Sequence, residues 1–150
     1  MTTTLFLLTT VWVKPLSLKA VTGNTCNNNN NGIYLSSSSN NTVTGNTCNN
    51  SNNGIRLNSS NSNKVTGNTY NNSYYGIRLS SSINNTVIGN TCNNSNNGIC
   101  LESSSNENII TGNTCNNNNY GISLYSSSNE NIITGNTCNN NNYGISLYSS

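Results

Sequence analysis

The stretch NTVTGNTCNNSNNGIRLNSSNSN, residues 41–63, is one copy of a unit that recurs through most of a 150-residue chain. Its substantial apolar side chains are Val43, Cys48, Ile55 and Leu57. They fall in three short runs, Thr42-Val43, Thr47-Cys48 and Gly54 to Leu57, split by Thr44-Gly45-Asn46, by Asn49 to Asn53 and by Asn58 to Asn63. Side chains alternate across a strand, so each run can place its apolar residues on one face. Gly reaches positive φ without steric cost and Asn tolerates the left-handed region, so the separators read as turns. No segment shows a helical apolar period, and Asn, Ser, Thr and Gly are poor helix formers. One copy therefore predicts three strands and three turns.

The copies keep a shared phase. Gly-Asn recurs with its Gly at 23, 45, 67, 89, 112 and 135, and Gly-Ile with its Gly at 32, 54, 76, 98, 121 and 144. Both series step by 22, 22, 22, 23 and 23 residues. A unit this short has no core of its own and buries apolar surface only by stacking on its neighbours, so the expected fold is all-β, a right-handed parallel β-helix of about six rungs. Neighbouring rungs then lie about 4.8 Å apart and like residues form columns. Ile33, Ile55, Ile77, Ile99, Ile122 and Ile145 make one column, and Leu35, Leu57, Leu79, Leu101, Leu124 and Leu147 a second. Val21, Val43, Val65, Val87, Ile110 and Ile133 make a third. Asn24, Asn46, Asn68, Asn90, Asn113 and Asn136 hold one turn position, which suits a ladder of amides bonded from rung to rung. The change of step is local too: Leu79 to Val87 spans eight residues and Leu101 to Ile110 nine, which places the extra residue in the Ser-rich turn.

Composition alone, with 31% hydrophobic and 5% charged residues, would describe a disordered polar tract. The constant phase overturns that description. Five cations, Lys14, Lys19, Arg56, Lys64 and Arg78, face three acids, Glu102, Glu107 and Glu130. They are too sparse to track a phosphate backbone, so no nucleic-acid partner is expected. Residues 1–20 read either as a degenerate terminal rung or cap, because Val11-Trp12-Val13 lies 22 residues before Ile33-Tyr34-Leu35, or as the remnant of a signal segment; the rung is preferred. The apolar run there is too short to span a bilayer, so no integral membrane segment is expected. Residues 21–150 form the repeat domain, which ends in mid-rung at Tyr148-Ser149-Ser150. That suggests a piece of a longer array, or end-to-end stacking on another β-helix chain.

Catalysis is poorly supplied. The chain has no Asp and no His, and Glu107 and Glu130 occupy one place in consecutive rungs, so no catalytic residue is assigned. Cys26, Cys48, Cys92, Cys115 and Cys138 share an inward position, with Tyr70 breaking the column and Cys100 outward between Ile99 and Leu101. The column reads as small buried hydrophobes first, with inter-rung disulfides or a soft metal such as Cu(I) as the alternatives. No metal ligand and no cofactor is assigned.

Outward positions on the Gly-Ile-x-Leu strand run Tyr34, Arg56, Arg78, Cys100, Ser123 and Ser146. Tyr34, Arg56 and Arg78 are the candidate carbohydrate-binding strip, because an aromatic face stacks on a sugar ring and Arg grips acids bidentately. Tyr74, Tyr75, Tyr120, Tyr125, Tyr143 and Tyr148 read as exposed turn aromatics, either a lectin-like surface or stacking that stiffens the coil, the latter preferred. Two Thr columns, one from Thr22 to Thr134 and one from Thr25 to Thr137, make a hydroxyl array broken by the Gly-Asn turn. Asn-x-Ser/Thr triplets begin at Asn40, Asn49, Asn58, Asn71, Asn84 and Asn93 and would suit glycosylation of an exported protein.

Copies such as NIITGNTCNNNNYGISLYSSSN, residues 108–129, resemble the right-handed parallel β-helix repeats of NosD-like proteins. The resemblance covers about residues 21–150 and implies a β-helix in a group that includes carbohydrate-binding and sugar-hydrolysing surface proteins. It also implies a periplasmic copper-binding accessory role, against which stand the lack of His and the single Met at position 1. The reading that results is a non-catalytic protein that is extracellular, periplasmic or on the cell surface, a structural or adhesive scaffold with a polysaccharide or glycan as candidate partner. Its alternatives are a fragment of a polysaccharide-processing enzyme whose active site lies outside this chain, and a copper-binding accessory protein.

Overall fold

The computed structural model of the protein describes residues 11–13, as backbone, and 19–149. Among these residues there are strands and turns and no helix. The expected three strands per copy are found: Thr42–Thr44, Thr47–Asn49 and Asn53–Asn58 in the copy quoted above. Each joins its equivalents in the neighbouring copies in parallel, building three sheets that run the length of a solenoid of about six turns.

The long-strand sheet orders Val11–Val13, Asn31–Ser36, Asn53–Asn58, Tyr75–Ser80, Asn97–Glu102, Tyr120–Tyr125 and Tyr143–Tyr148, each beside the next. Its register pairs Ile33 with Ile55, Ile55 with Ile77, Ile77 with Ile99, Ile99 with Ile122 and Ile122 with Ile145. A second sheet carries the valine column, with Val21 on Val43, Val43 on Val65 and Val65 on Val87, continued by Ile110 and Ile133. The third is made of Thr47–Asn49, Thr69–Asn71 and Thr91–Asn93, extended in register by single bridges at Thr25, Thr114 and Thr137. At Val11–Val13 the backbone pairs Val11 with Ile33 and Val13 with Leu35, the register that the spacing of 22 anticipated. The rest of the N-terminal reading lies outside the described residues.

The core is the interior of the coil. Ile33, Leu35, Val43, Cys48, Ile55, Leu57 and their equivalents as far as Ile122 are buried, and Tyr70 is buried among them. At roughly 2 kcal/mol for each fully buried aliphatic side chain, these columns supply the main drive for coiling. No rung gains it alone.

Polar ladders tie the corners. Asn46 donates from both its backbone N–H and its side-chain amide to Oδ1 of Asn68, at 2.9 Å each, and Asn68 does the same to Asn90. The amide nitrogen of Asn68 also reaches the Val43 carbonyl at 3.0 Å. A second amide ladder, not anticipated from sequence, runs through Asn41, Asn63, Asn85, Asn108 and Asn131. Serine hydroxyls do likewise: Ser38, Ser60 and Ser82 each donate a backbone N–H to the hydroxyl of the next rung's serine. Between their ends the ladders thus satisfy buried polar groups with their own copies.

The extra residue of the later rungs sits where the spacing placed it. Directly after the long strand, earlier rungs have a single left-handed serine, Ser37, Ser59 or Ser81, whereas the longer rungs have two in succession, Ser103-Ser104 and Ser126-Ser127. The insertion is absorbed as one more left-handed residue. The ladders on either side keep their register.

Candidate functional site

The outer face of the long-strand sheet carries the chain's most varied chemistry. Alternation turns the middle residue of each Ile-x-Leu outward, and parallel register stacks Tyr34 on Arg56 and Arg56 on Arg78. The three candidate residues are therefore adjacent, and each is half-buried. The Arg56 guanidinium lies over the Tyr34 ring, 5.4 Å from its centroid, and that of Arg78 over the Tyr75 ring at 4.8 Å. These are cation–π contacts at a partly screened surface, of about 0.5–1 kcal/mol each.

Arg78 has a second partner. Its Nε donates to Oε1 of Glu102 at 3.0 Å and its Nη2 completes the ion pair. Burial opposes the charge on Arg78, yet the hydrogen bond and attraction of Glu102 outweigh it and raise the pKa above the ordinary guanidinium value. Tyr75 and Glu102 were not among the candidates. The signal was present in the register, because Arg78 pairs with Cys100 and Glu102 stands two residues along on the same face, a diagonal neighbour.

Cys100 corrects an expectation. It occupies the outward position, but it is 1% exposed rather than facing solvent. Arg78, Glu102, Tyr75 and Tyr125 all lie near enough to the thiol to interact with its charge, so it stands among large side chains. Burial pushes its pKa up to about 12, against the opposing hydrogen bond of Ser123. Ser123 is itself buried and donates to Oδ1 of Asn97 at 2.9 Å.

The tyrosines also differ from their expected placement. Tyr75, Tyr120, Tyr125, Tyr143 and Tyr148 are strand residues rather than turn residues, and Tyr74 alone of the six stands outside a strand. Tyr120 stacks on Tyr143 with centroids 4.9 Å apart and rings inclined by 11°. Tyr120 and Tyr125 meet edge to face at 6.4 Å. The same outer face thus has a cationic and aromatic half, around Tyr34 to Arg78, and an aromatic half beyond Cys100.

Other features stay apart from this face. The two Thr columns fall on different sheets, divided by the Gly-Asn corner as the sequence indicated. Of the Asn-x-Ser/Thr positions, Asn40 and Asn84 are exposed and left-handed, whereas Asn49, Asn58, Asn71 and Asn93 are half-buried strand ends. Glu107 and Glu130 share an exposed corner.

The cysteine column lies inside. All six cysteines are free thiols. Cys26 and Cys48 touch in successive rungs, and the hydrogen bond between them together with burial drives the Cys48 pKa upward. Around Cys115 the contact with Cys138 lowers the pKa while that with Cys92 and burial raise it, and the upward effects prevail.

Residues 8–150 match a family model described as periplasmic copper-binding protein (NosD). No curated protein matches the chain. The chain's side-chain donors do not fit copper. His is missing from the sequence, the single Met is residue 1, and among the described residues no three metal-ligating side chains converge. The interior is also full: a Cβ on Gly76 would stand 2.9 Å from Cβ of Cys92.

Proposed function

The chain belongs to the NosD family, a periplasmic group, and from that premise we propose that it is a non-catalytic scaffold outside the cytoplasm whose long-strand sheet binds carbohydrate. The observation that carries the reading is the in-register run of Tyr34, Arg56 and Arg78, with Tyr75 beside it, on one outer face. A rigid strip of aromatic and guanidinium groups at strand spacing suits an extended glycan, which offers ring faces for stacking and hydroxyls or acids for donors. The tyrosines from Tyr120 to Tyr148 continue the same face.

Three features support a non-catalytic role. The sequence has no Asp or His, Glu102 is held by Arg78, and Glu107 and Glu130 lie together at one exposed corner. Among the described residues no helix is long and apolar enough to cross a membrane. A glycan array probed with the intact protein and with Tyr34→Ala tests the reading. Selective binding that the variant loses is expected; the absence of any bound glycan would overturn it.

A further inference from the structure

Among the described residues Arg78 and Glu102 form the one ion pair, so the guanidinium of Arg56 has no carboxylate partner. Its Nε is buried and has no hydrogen-bond acceptor. A buried donor left unmade is costly, and it is the more notable here because the same atom in Arg78, one strand away, is satisfied. Arg56 instead lies back over the Tyr34 ring. The strand of Arg78 stands between Arg56 and that of Glu102, so Glu102 lies two strands away, about 10 Å across the sheet.

We propose that Arg56 is the anion subsite of this face, taking the carboxylate or sulfate group of an acidic polysaccharide while the Tyr34 ring it now covers stacks against the sugar. This rests on the carbohydrate reading above and narrows its ligand class. The chemistry follows from the two partners. Swinging off the ring lets Nε and one Nη donate in parallel to two oxygens of a planar carboxylate, or to two of a sulfate, which satisfies the orphaned donor. The same movement uncovers the aromatic face. Arg78 is not available for this task because Glu102 occupies it, which leaves Arg56 as the guanidinium of the strip without a carboxylate partner among the described residues. The ligand is thus an acidic chain rather than a neutral glycan.

The experiment is a calorimetric titration of the intact protein with three oligosaccharides: oligogalacturonate, its methyl ester and a sulfated galactan of equal length. At least one acidic oligosaccharide should bind tenfold or more tighter than the ester, with affinity falling as salt rises. Arg56→Gln should reduce that ligand to the affinity of the ester, Arg56→Lys should retain part of the preference, and Tyr34→Ala should weaken all three. The uronate and sulfate arms distinguish the two sources of the anion. If the ester binds as tightly as both acidic ligands, or if Arg56→Gln keeps the acidic preference, the anion subsite is wrong while the carbohydrate reading survives. If none of the three binds and a glycan array is also blank, both are wrong.

Discussion

A Cβ on Gly54 would stand 2.5 Å from Cδ1 of Tyr70, so the large ring at 70 is housed by the missing side chain of the preceding rung. The same Cβ would meet the Gly76 carbonyl at 2.6 Å. Gly54→Ala therefore strains both ring and backbone, and a loss of about 3 kcal/mol is expected by urea denaturation followed by circular dichroism. Tyr70→Cys in the same background should recover only part of it, because the carbonyl contact remains.

Tyr70 offers the opposite test. Its hydroxyl is buried and has no hydrogen-bond partner. Tyr70→Phe removes the unmade bond and keeps the ring, so stability should rise by about 1 kcal/mol. A lower denaturation midpoint for the variant would contradict this.

Asn68 receives two donors from Asn46 and gives its amide to Asn90 and to the Val43 and Thr66 carbonyls. Asn68→Ala leaves several of these groups buried and unpaired, at a cost of about 3 kcal/mol or more. The exposed Asn52 is the control, where Asn52→Ala should change stability by less than about 0.5 kcal/mol. Parallel melts of the two variants decide it.

The pH dependence is set by acids that stay neutral on folding. Burial raises Tyr70 well above the ordinary phenol range, Cys100 rises to about 12, and the Cys48, Cys115 and Cys138 thiols also rise, while the hydrogen bond with Cys48 lowers Cys26 and opposes them in part. The unfolded chain releases these protons first, so above about pH 9 the folded state holds more of them and stability falls as pH increases. Below that the contribution is fully present and flat. A reduced sample should lose about 1.4 kcal/mol per pH unit for each such group between its unfolded and folded pKa. Thiol reagents at pH 8 should leave Cys48 and Cys100 unmodified in the native protein and reach them after unfolding.

Glu107 and Glu130 are left-handed residues with φ of 56° and 55°, stacked at the corner where earlier rungs place Asn40 and Asn84. Asn tolerates this region better, and one of two like charges would be removed. Glu107→Asn should stabilise by about 1 kcal/mol, read from the same denaturation midpoint.

The ladders were legible because parallel register carries each copy's alternation unchanged to the next, so Ile55, Val43 and Asn46 could be placed from spacing alone. Cys100 shows where that logic stops. Alternation gives the direction of a side chain, but burial at an outward position depends on how far neighbours such as Glu102 and Tyr75 reach over it. The amide ladder through Asn63 and the left-handed serines were missed for a related reason. In a turn composed almost wholly of Asn and Ser, composition does not say which residue points inward. Tyr34, Arg56 and Arg78 are adjacent as their spacing implied, while the Glu102 partnership that divides the two arginines depends on side-chain reach that spacing does not carry.

The Asn ladder also has a direction. From Asn24 to Asn113 each side chain donates an amide N–H to Oδ1 of the next rung's Asn, so every bond between ladder amides runs the same way along the axis. The amide dipoles therefore add along the axis, as peptide dipoles do in a helix. The coil is electrically polar, and a rung laid on it upside down would set oxygen against oxygen.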